Sequence, residues 1–212
     1  MRDDKIKRIP RKPSRLDPRT RFSGGPDCLN RRTISDFWQW AYSDLMQNVE
    51  RGVLAEYIVA TLLGVDNELR IPWLAYDLKL PNGKTVEVKT MSLLQAWYQK
   101  ELSNSRVVIK PTRKWDPKTN IMEDTPKFHS DLYVICFFTA DNHDTADPLN
   151  LAQWEFYVLP KKRIKGFWKE RKSISLKFLR GKSVKSTTAF KLRDEVIKLC
   201  KSTNKAHANG CA

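Results

Sequence analysis

The spacing of apolar residues along the chain predicts an alternation of helices and strands. Apolar residues at three- and four-residue steps are typical of helices, whereas strict alternation or a short continuous apolar run is typical of strands. These patterns predict helices that begin near Asp36 and cover 48–63, 92–102 and 188–200, and strands at 68–80, 84–90, 106–110, 131–139 and 154–159. Residues 112–130 and 140–152 are interpreted as polar connections, and the pattern of 161–187 is ambiguous. The order of elements predicts a mixed α/β domain.

The two strands around residue 82 are predicted to form a hairpin whose register can be worked out from the sequence. A loop of Pro-Asn-Gly that ends in a left-handed Gly83 is one of the common hairpin connections. It places Leu78 opposite Val86 and keeps the apolar side chains of both strands on one face, which a shorter Asn-Gly turn would not do. In this register Asp77 lies directly opposite Glu87, with the Cβ atoms about 4.5–5.5 Å apart.

Facing carboxylates repel each other unless a cation, a lysine or a raised pKa offsets their charge. Mg²⁺ prefers one or two protein carboxylates together with water and phosphate oxygens, so Asp77 and Glu87 are candidate ligands, and the Val88 carbonyl is a third. Lys89, on the same face as Glu87, is a candidate for orienting or deprotonating an attacking water. The alternative is an exposed hairpin face on which Lys89 pairs with Glu87.

The helix before the hairpin supplies a further acidic candidate. Glu56 falls within a row of apolar residues at helical spacing, which consists of Val49, Val53, Ala60 and Leu63. A glutamate on an apolar stripe needs a partner, such as a metal or a lysine of the sheet. Glu50 is the competing acid, one turn earlier and rotated away from this row. The alternative is that Glu56 lies at the edge of the stripe and reaches water.

These motifs together resemble the PD-(D/E)XK nuclease superfamily, which includes type II restriction enzymes and Holliday-junction resolvases. The similarity covers roughly 48–138 and rests on the acidic helix 50–56, Tyr76-Asp77 and Glu87-Val88-Lys89. Tyr76 stands where the motif has its proline. The resemblance implies a restriction-endonuclease-like core with a mixed central sheet flanked by helices. It also implies a metal on Asp77 and Glu87, Lys89 as the catalytic lysine and Glu56 as the acidic helix residue.

Charge is distributed unevenly along the chain. Of the net charge of +15, residues 1–32 carry +7 and residues 161–212 carry +13, whereas residues 33–160 carry −5. Basic segments attract phosphate backbones, and an acidic centre approached by the same polymer is typical of a site that holds a cation. We therefore expect a basic, extended arm at 1–32, a nuclease-like domain at 33–160, and a basic C-terminal extension at 161–212 whose final helix packs on the domain. The alternative is basic tails on an unrelated domain.

Other residues are weaker candidates for nucleic-acid contacts. Gln95 follows the motif closely enough to contact substrate. Lys110, Arg113 and Lys114 lie together in a polar segment and could contact phosphates, although we favour a solvated loop as their explanation. Aromatic residues are interleaved with basic ones between 163 and 185. They either stack on exposed bases or, as we favour, anchor this segment to the domain.

The remaining chemistry of the chain narrows the class of protein. The four cysteines have no zinc-like spacing with one another or with histidine, and Cys136 lies in an apolar run typical of a core. No apolar run is long enough to cross a membrane and no secretory signal is evident, so a cytoplasmic location is expected.

The sequence predicts a Mg²⁺-dependent endonuclease, with Mn²⁺ as a substitute, that acts on DNA rather than RNA. The alternatives are a nucleic-acid-binding or assembly module that keeps the fold without cleaving, and a subunit whose basic arms bind an acidic protein. A homodimer or larger assembly stays open.

Overall fold

The protein is described here by a computed structural model covering residues 13–72, 74–116 and 119–208, with side chains through residue 201. The chain forms two compact units, 1–43 and 44–212. In the described part of the first unit, α1 covers Asp27–Asn30 and α2 covers Ile34–Tyr42. The Thr33 hydroxyl accepts from the Asp36 backbone N–H, and the Asp36 carboxylate accepts from the Thr33 N–H, which confirms the predicted helix start. The predicted boundary after residue 32 stays a prediction, and residues 1–12 of the predicted arm lie outside the described residues.

The second unit is built on a mixed sheet. Within the described residues this sheet has four strands: β1 (Leu78–Lys79), β2 (Thr85–Ser92), β6 (Leu132–Phe138) and β7 (Trp154–Pro160). They lie in the order β1-β2-β6-β7. β1 runs antiparallel to β2, β2 runs parallel to β6, and β6 runs antiparallel to β7.

Helices cover both faces of this sheet, which confirms the predicted mixed α/β fold with a mixed central sheet. The helices are α3 (Asn48–Leu63), α4 (Lys161–Glu170), α5 (Leu176–Gly181) and α6 (Ala189–Ala208). Two small antiparallel pairs accompany them: β3 (Arg106–Val107) with β8 (Ile174–Ser175), and β4 (Trp115–Asp116) with β5 (Ile121–Met122). A 3₁₀ turn at Leu151–Gln153 precedes β7. No helix in the described part of the chain is both long and apolar enough to span a bilayer.

Strand β6 shows why its sequence is apolar at every position. Its side chains alternate between two cores, one on the α3 and α6 side of the sheet and one on the α4 and α5 side. Leu132, Val134, Cys136 and Phe138 belong to the first core, and Tyr133, Ile135 and Phe137 belong to the second. A strand covered on both faces has no polar side, as the continuous apolar run predicts.

Four predicted elements differ from the structure. The strand predicted at 106–110 is shortened to β3, and the connection predicted at 112–130 contains β4 and β5. The strand predicted at 68–80 is reduced to β1, because the Asp77 side chain rather than a backbone carbonyl takes the next N–H of β2. The helix predicted at 92–102 is wrong: β2 continues through Ser92, and a loop follows. The Gln99 side chain holds this loop, accepting from the Gln95 N–H at 2.6 Å and donating to the Ser103 hydroxyl at 2.8 Å. These local bonds satisfy groups that a helix would pair internally.

Helix α3 ends as predicted, with Gly64 at a φ of 71° in the left-handed region. Its buried face differs from the predicted row. Ala60 and Leu63 are buried, whereas Val49 and Val53 are exposed. The buried face at the start of the helix is formed instead by Arg51, whose guanidinium donates to the Met46 carbonyl at 2.7 Å.

The basic segment 161–187 is anchored to the domain by its aromatic residues. Phe167 of α4 and Phe178 of α5 are buried in the second core and meet edge to face, with ring centroids 4.9 Å apart. Three lysines of α4 remain exposed, namely Lys162, Lys165 and Lys169. Phe167 and Phe178 therefore anchor the segment to the domain, as we favoured, and are not exposed for stacking on bases.

Candidate active site at the hairpin edge

The hairpin adopts the register that its sequence predicts. Leu78 pairs with Val86, and the Leu80 N–H donates to the Lys84 carbonyl at 2.8 Å. Gly83 closes the loop with a φ of 82°, a conformation that favours glycine. The Asp77 N–H donates to the Val86 carbonyl at 3.0 Å, although Val86 is already the ladder partner of Leu78. The regular pairing therefore ends at Leu78, and Asp77 lies beside β2 at Val86 and Val88 rather than continuing the ladder opposite Glu87.

Asp77 turns its carboxylate toward the backbone of β2. Its Oδ2 accepts from the Val88 N–H at 2.6 Å. In an extended strand the N–H and C=O of one residue point to the same side, so the Val88 carbonyl faces the same edge of the sheet. Beyond Val86 no described strand pairs with this edge of β2. A carboxylate and a backbone carbonyl therefore lie at an open edge.

Glu87 and Lys89 form an ion pair on one face of β2. Lys89 Nζ lies 2.6 Å from Glu87 Oε1, and the side chains are 34% and 22% exposed, respectively. The hydroxyl of buried Ser130, which lies just before β6, donates to Glu87 Oε2 at 3.4 Å. Sequence analysis did not single out Ser130, because a lone serine before a strand carries no periodic signal. Both carboxylate oxygens of Glu87 thus have partners.

The charges of this cluster shift one another's pKa. Burial and the neighbouring Glu87 raise the pKa of Asp77 to about 7, although the hydrogen bond from Val88 opposes the shift. Burial lowers the pKa of Lys89, but the nearby carboxylates, Glu87 foremost, outweigh it and leave that pKa raised. Lys89 is therefore held in its protonated form, which favours an electrostatic role over that of a base.

Glu56 reaches the same cluster from α3. Its charge contributes to the raised pKa of both Asp77 and Lys89, so it lies within electrostatic range of each. Its direct partner is Arg70, a residue of the loop between α3 and β1 that sequence analysis missed. Arg70 Nε lies 2.5 Å from Glu56 Oε2, and Arg70 Nη2 lies 2.9 Å from Oε1. The predicted apolar setting of Glu56 is thus replaced by a two-point ion pair.

The donor set suits a hard divalent cation. Among the described residues, no three Asp, Glu, His or Cys side chains converge into a ready-made metal cluster. Mg²⁺ does not require one, since it binds through one or two carboxylates and keeps several waters. The raised pKa of Asp77 reports a carboxylate whose charge is incompletely offset, and Lys89 is bonded to Glu87 rather than to Asp77. Asp77 and Glu87 therefore fit the predicted metal.

The weaker candidates lie elsewhere. Gln95 is buried, and its side-chain amide donates to the Ser92 carbonyl at 3.4 Å, so its contact with substrate stays a prediction. Lys110, Arg113 and Lys114 are exposed on the segment that carries β4 and β5, and the structure brings none of them into a described contact with the hairpin cluster.

Comparison with known proteins identifies the family. The model of the bacteriophage T4 endonuclease IV family matches residues 33–178, which is more than half of the 212-residue chain. The matched region contains Glu56, Asp77, Glu87 and Lys89, together with the whole central sheet. No curated protein matches the chain. The extent of the family match shows that this chain belongs to the bacteriophage T4 endonuclease IV family.

Proposed function

We propose that this protein is a Mg²⁺-dependent endonuclease of the PD-(D/E)XK type that hydrolyses phosphodiester bonds in DNA. Membership of an endonuclease family supports nuclease activity on nucleic acid. The observation that carries the finer proposal is that the Asp77 carboxylate is bonded to the Val88 N–H at the open edge of a mixed sheet, within electrostatic range of the Glu87 and Lys89 ion pair on the same strand. Mn²⁺ is the expected substitute metal.

Asp77, Glu87 and the Val88 carbonyl would hold the metal. When bound, a divalent cation in such a site polarises the phosphate and lowers the pKa of a water ligand. Hydrogen bonds within the chain orient both carboxylates before a metal binds. The Val88 N–H fixes the orientation of the Asp77 carboxylate, and Ser130 and Lys89 fix that of Glu87.

Lys89 would act as a fixed positive charge beside the reacting phosphate. Its ammonium group is held by Glu87 and its raised pKa keeps it protonated at neutral pH. A positioned cation stabilises the negative charge that develops on phosphate oxygens during hydrolysis, and it can orient a water by hydrogen bonding. Glu56 is the third acid of the site, close enough to influence both Lys89 and Asp77.

Nucleic acid would be drawn to the site by the basic parts of the chain. The net charge of residues 161–212 is +13, and the exposed lysines of α4 belong to this segment. Phosphate contacts of this kind release counterions, so binding should weaken steeply as salt rises. DNA is proposed as the polymer because the site resembles DNA-cleaving members of the PD-(D/E)XK superfamily.

A cleavage assay with matched variants tests this proposal. Purified protein is incubated with plasmid and short DNA substrates in Mg²⁺, Mn²⁺ or EDTA. Asp77→Ala and Lys89→Ala should each reduce cleavage by about 100-fold or more, as expected for loss of one group that stabilises charge in the transition state. Lys127→Ala is the control, since Lys127 also pairs with a glutamate, Glu123, at 3.0 Å.

The outcomes separate the competing functions. Cleavage that needs the metal but survives both hairpin substitutions would contradict the site. Binding of DNA without cleavage under any metal would favour a module that keeps the fold without activity. Cleavage of RNA in preference to DNA would leave the site intact and correct the polymer.

A further inference from the structure

Arg70 is the most distinctive group near the hairpin that the proposed function does not use. It lies in the loop between α3 and β1, and its guanidinium makes two bonds to the Glu56 carboxylate, at 2.5 and 2.9 Å. This two-point geometry fixes the plane of the guanidinium as well as its position. The Glu56 side chain is only 15% exposed, so the anchor itself lies largely inside the protein.

The Arg70 side chain is partly exposed to solvent, although it is bonded to Glu56. Its side chain is 42% exposed, and the bonds to Glu56 use the Nε and Nη2 edge. An arginine has five N–H donors, so the remaining donors, on Nη1 and Nη2, are available to another acceptor. The guanidinium of Arg70 is therefore fixed by Glu56 through one edge and retains unused donors on the other.

Arg70 also belongs to the electrostatics of the hairpin. The carboxylates of Glu56 and Asp77 both raise the pKa of Arg70, so its guanidinium lies within range of the proposed metal ligand Asp77. The cluster thus contains three carboxylates, Glu56, Asp77 and Glu87, and two cations, Lys89 and Arg70. Each cation is bonded to a different carboxylate.

We propose that Arg70 is a second cationic residue of the active site, which contacts a substrate phosphate through its free donors and is oriented by Glu56. This rests on the proposed function, because it takes the hairpin cluster as the place of cleavage. Glu56 is then a positioning residue that acts through Arg70. The planar fork of an arginine matches a phosphate in a way that a lysine does not, since it offers two parallel donors in one plane.

Substitution of Arg70 tests the proposal directly. Arg70→Ala should lower kcat/KM for DNA cleavage by about 100-fold, the size expected when a fixed donor to developing charge is removed. Arg70→Lys should recover only part of this loss, because it keeps the charge without the fork. Methylguanidinium added to Arg70→Ala should restore activity in part, whereas methylammonium should not. Lys127→Ala, which breaks an ion pair elsewhere, should stay near the activity of the unchanged protein.

A double-mutant cycle tests the role of Glu56. If Glu56 acts by orienting Arg70, Glu56→Gln should cost much less in the Arg70→Ala background than in the unchanged protein. Mn²⁺ affinity, measured by calorimetry, should fall for Asp77→Asn but stay near that of the unchanged protein for Glu56→Gln. Additive losses, or a loss of Mn²⁺ affinity in Glu56→Gln equal to that in Asp77→Asn, would overturn the positioning role and make Glu56 a metal ligand.

Cleavage by the Lys89→Ala and Arg70→Ala proteins separates a role of Arg70 from the existence of the hairpin site. If Lys89→Ala abolishes cleavage while Arg70→Ala cleaves normally, the hairpin site stands and Arg70 has no part in it. If Lys89→Ala cleaves normally, the site itself is wrong. If Arg70→Ala greatly lowers the melting temperature, Arg70→Lys replaces it as the test variant. An unchanged kcat/KM in Arg70→Lys would then contradict the proposal. If Arg70→Ala is folded but impaired, the absence of rescue by methylguanidinium would contradict it as well.

Discussion

Replacing Asp77 by asparagine should stabilise the metal-free protein at alkaline pH. The pKa of Asp77 is raised from 3.8 to about 7, mainly by burial and then by Glu87. A raised carboxylate pKa means that the folded protein holds the proton more tightly than the unfolded chain does. Asp77 therefore opposes folding increasingly as the pH rises from about 4 to about 7, and this cost is complete above that range.

The size of the effect follows from the shift. Each pKa unit corresponds to 1.36 kcal/mol, so a shift from 3.8 to about 7 amounts to at most about 4 kcal/mol. Asparagine has nearly the same shape, carries no charge, and its oxygen can still accept from the Val88 N–H. At 2–4 °C per kcal/mol for a protein of this size, the Tm of Asp77→Asn at pH 8 should rise by about 5–15 °C.

Thermal unfolding followed by circular dichroism at pH 4.5 and pH 8, in EDTA, measures this difference. Asp77→Asn should gain stability at pH 8 and little at pH 4.5, and Asp124→Asn, at an exposed position, should behave like the unchanged protein at both. Mg²⁺ should stabilise the unchanged protein at pH 8 more than it stabilises Asp77→Asn, because a ligand of the folded state shifts unfolding by mass action.

Two results would refute this reasoning. Equal Tm values for Asp77→Asn and the unchanged protein at pH 8 in EDTA would show that the ionised Asp77 carboxylate does not destabilise the folded protein. A Mg²⁺-induced rise in Tm that is as large in Asp77→Asn as in the unchanged protein would remove Asp77 from the metal site, whatever the pH dependence.

Two further predictions concern the scaffold. Asp131 Oδ2 accepts from the Thr85 N–H at 3.0 Å and from its hydroxyl at 3.2 Å. Burial alone would raise the pKa of Asp131, but these bonds together with the nearby Lys161 outweigh it and lower that pKa. Asp131→Ala should therefore cost about 1–3 kcal/mol of unfolding free energy in urea at pH 7. The loss should shrink as the pH falls below 4, and a loss that stays constant with pH would contradict the ionic contribution. For the cysteines, a maleimide followed by peptide mass spectrometry should label exposed Cys28 rapidly and Cys136 only in denaturant, since burial raises the pKa of the Cys136 thiol. Labelling of both at similar rates in the folded protein would show that the sheet opens.

The hairpin and the central strand could be predicted because their pattern of apolar residues is compatible with only one register or one type of burial. The hairpin register follows from requiring Leu78 and Val86 to share a face, and the left-handed Gly83 makes the loop possible. The same register brings Asp77 to the edge of β2 near Glu87, although the Asp77 N–H bonds to the Val86 carbonyl instead of continuing the ladder. In the same way, an apolar run with no polar alternation predicts a strand covered on both faces, as β6 is.

Apolar spacing misled where side chains rather than the backbone organise the chain. Residues 93–102 have helical spacing, yet Trp97 and Tyr98 are exposed and Gln99 closes a loop through its amide. In α3 the exposed Val49 and Val53 mimic a buried stripe, while Arg51 is buried. A pattern of apolar residues shows which positions could be buried, and the hydrogen bonds of polar side chains then decide which are.

Arg70 marks the limit of inference from the sequence for a different reason. A strand or helix repeats, so a functional residue on it has a predictable face, and Asp77, Glu87 and Lys89 could be placed in this way. Arg70 lies in an irregular loop and meets Glu56 across fourteen positions of sequence, a separation that no local period predicts. Its sequence neighbours do not distinguish it from other arginines of a basic chain, whereas its two bonds to the Glu56 carboxylate of α3 do. For this family, the cations that meet the phosphate should therefore be sought among loop residues that contact the hairpin carboxylates, and the Glu56 and Arg70 cycle is the measurement that decides whether this holds here.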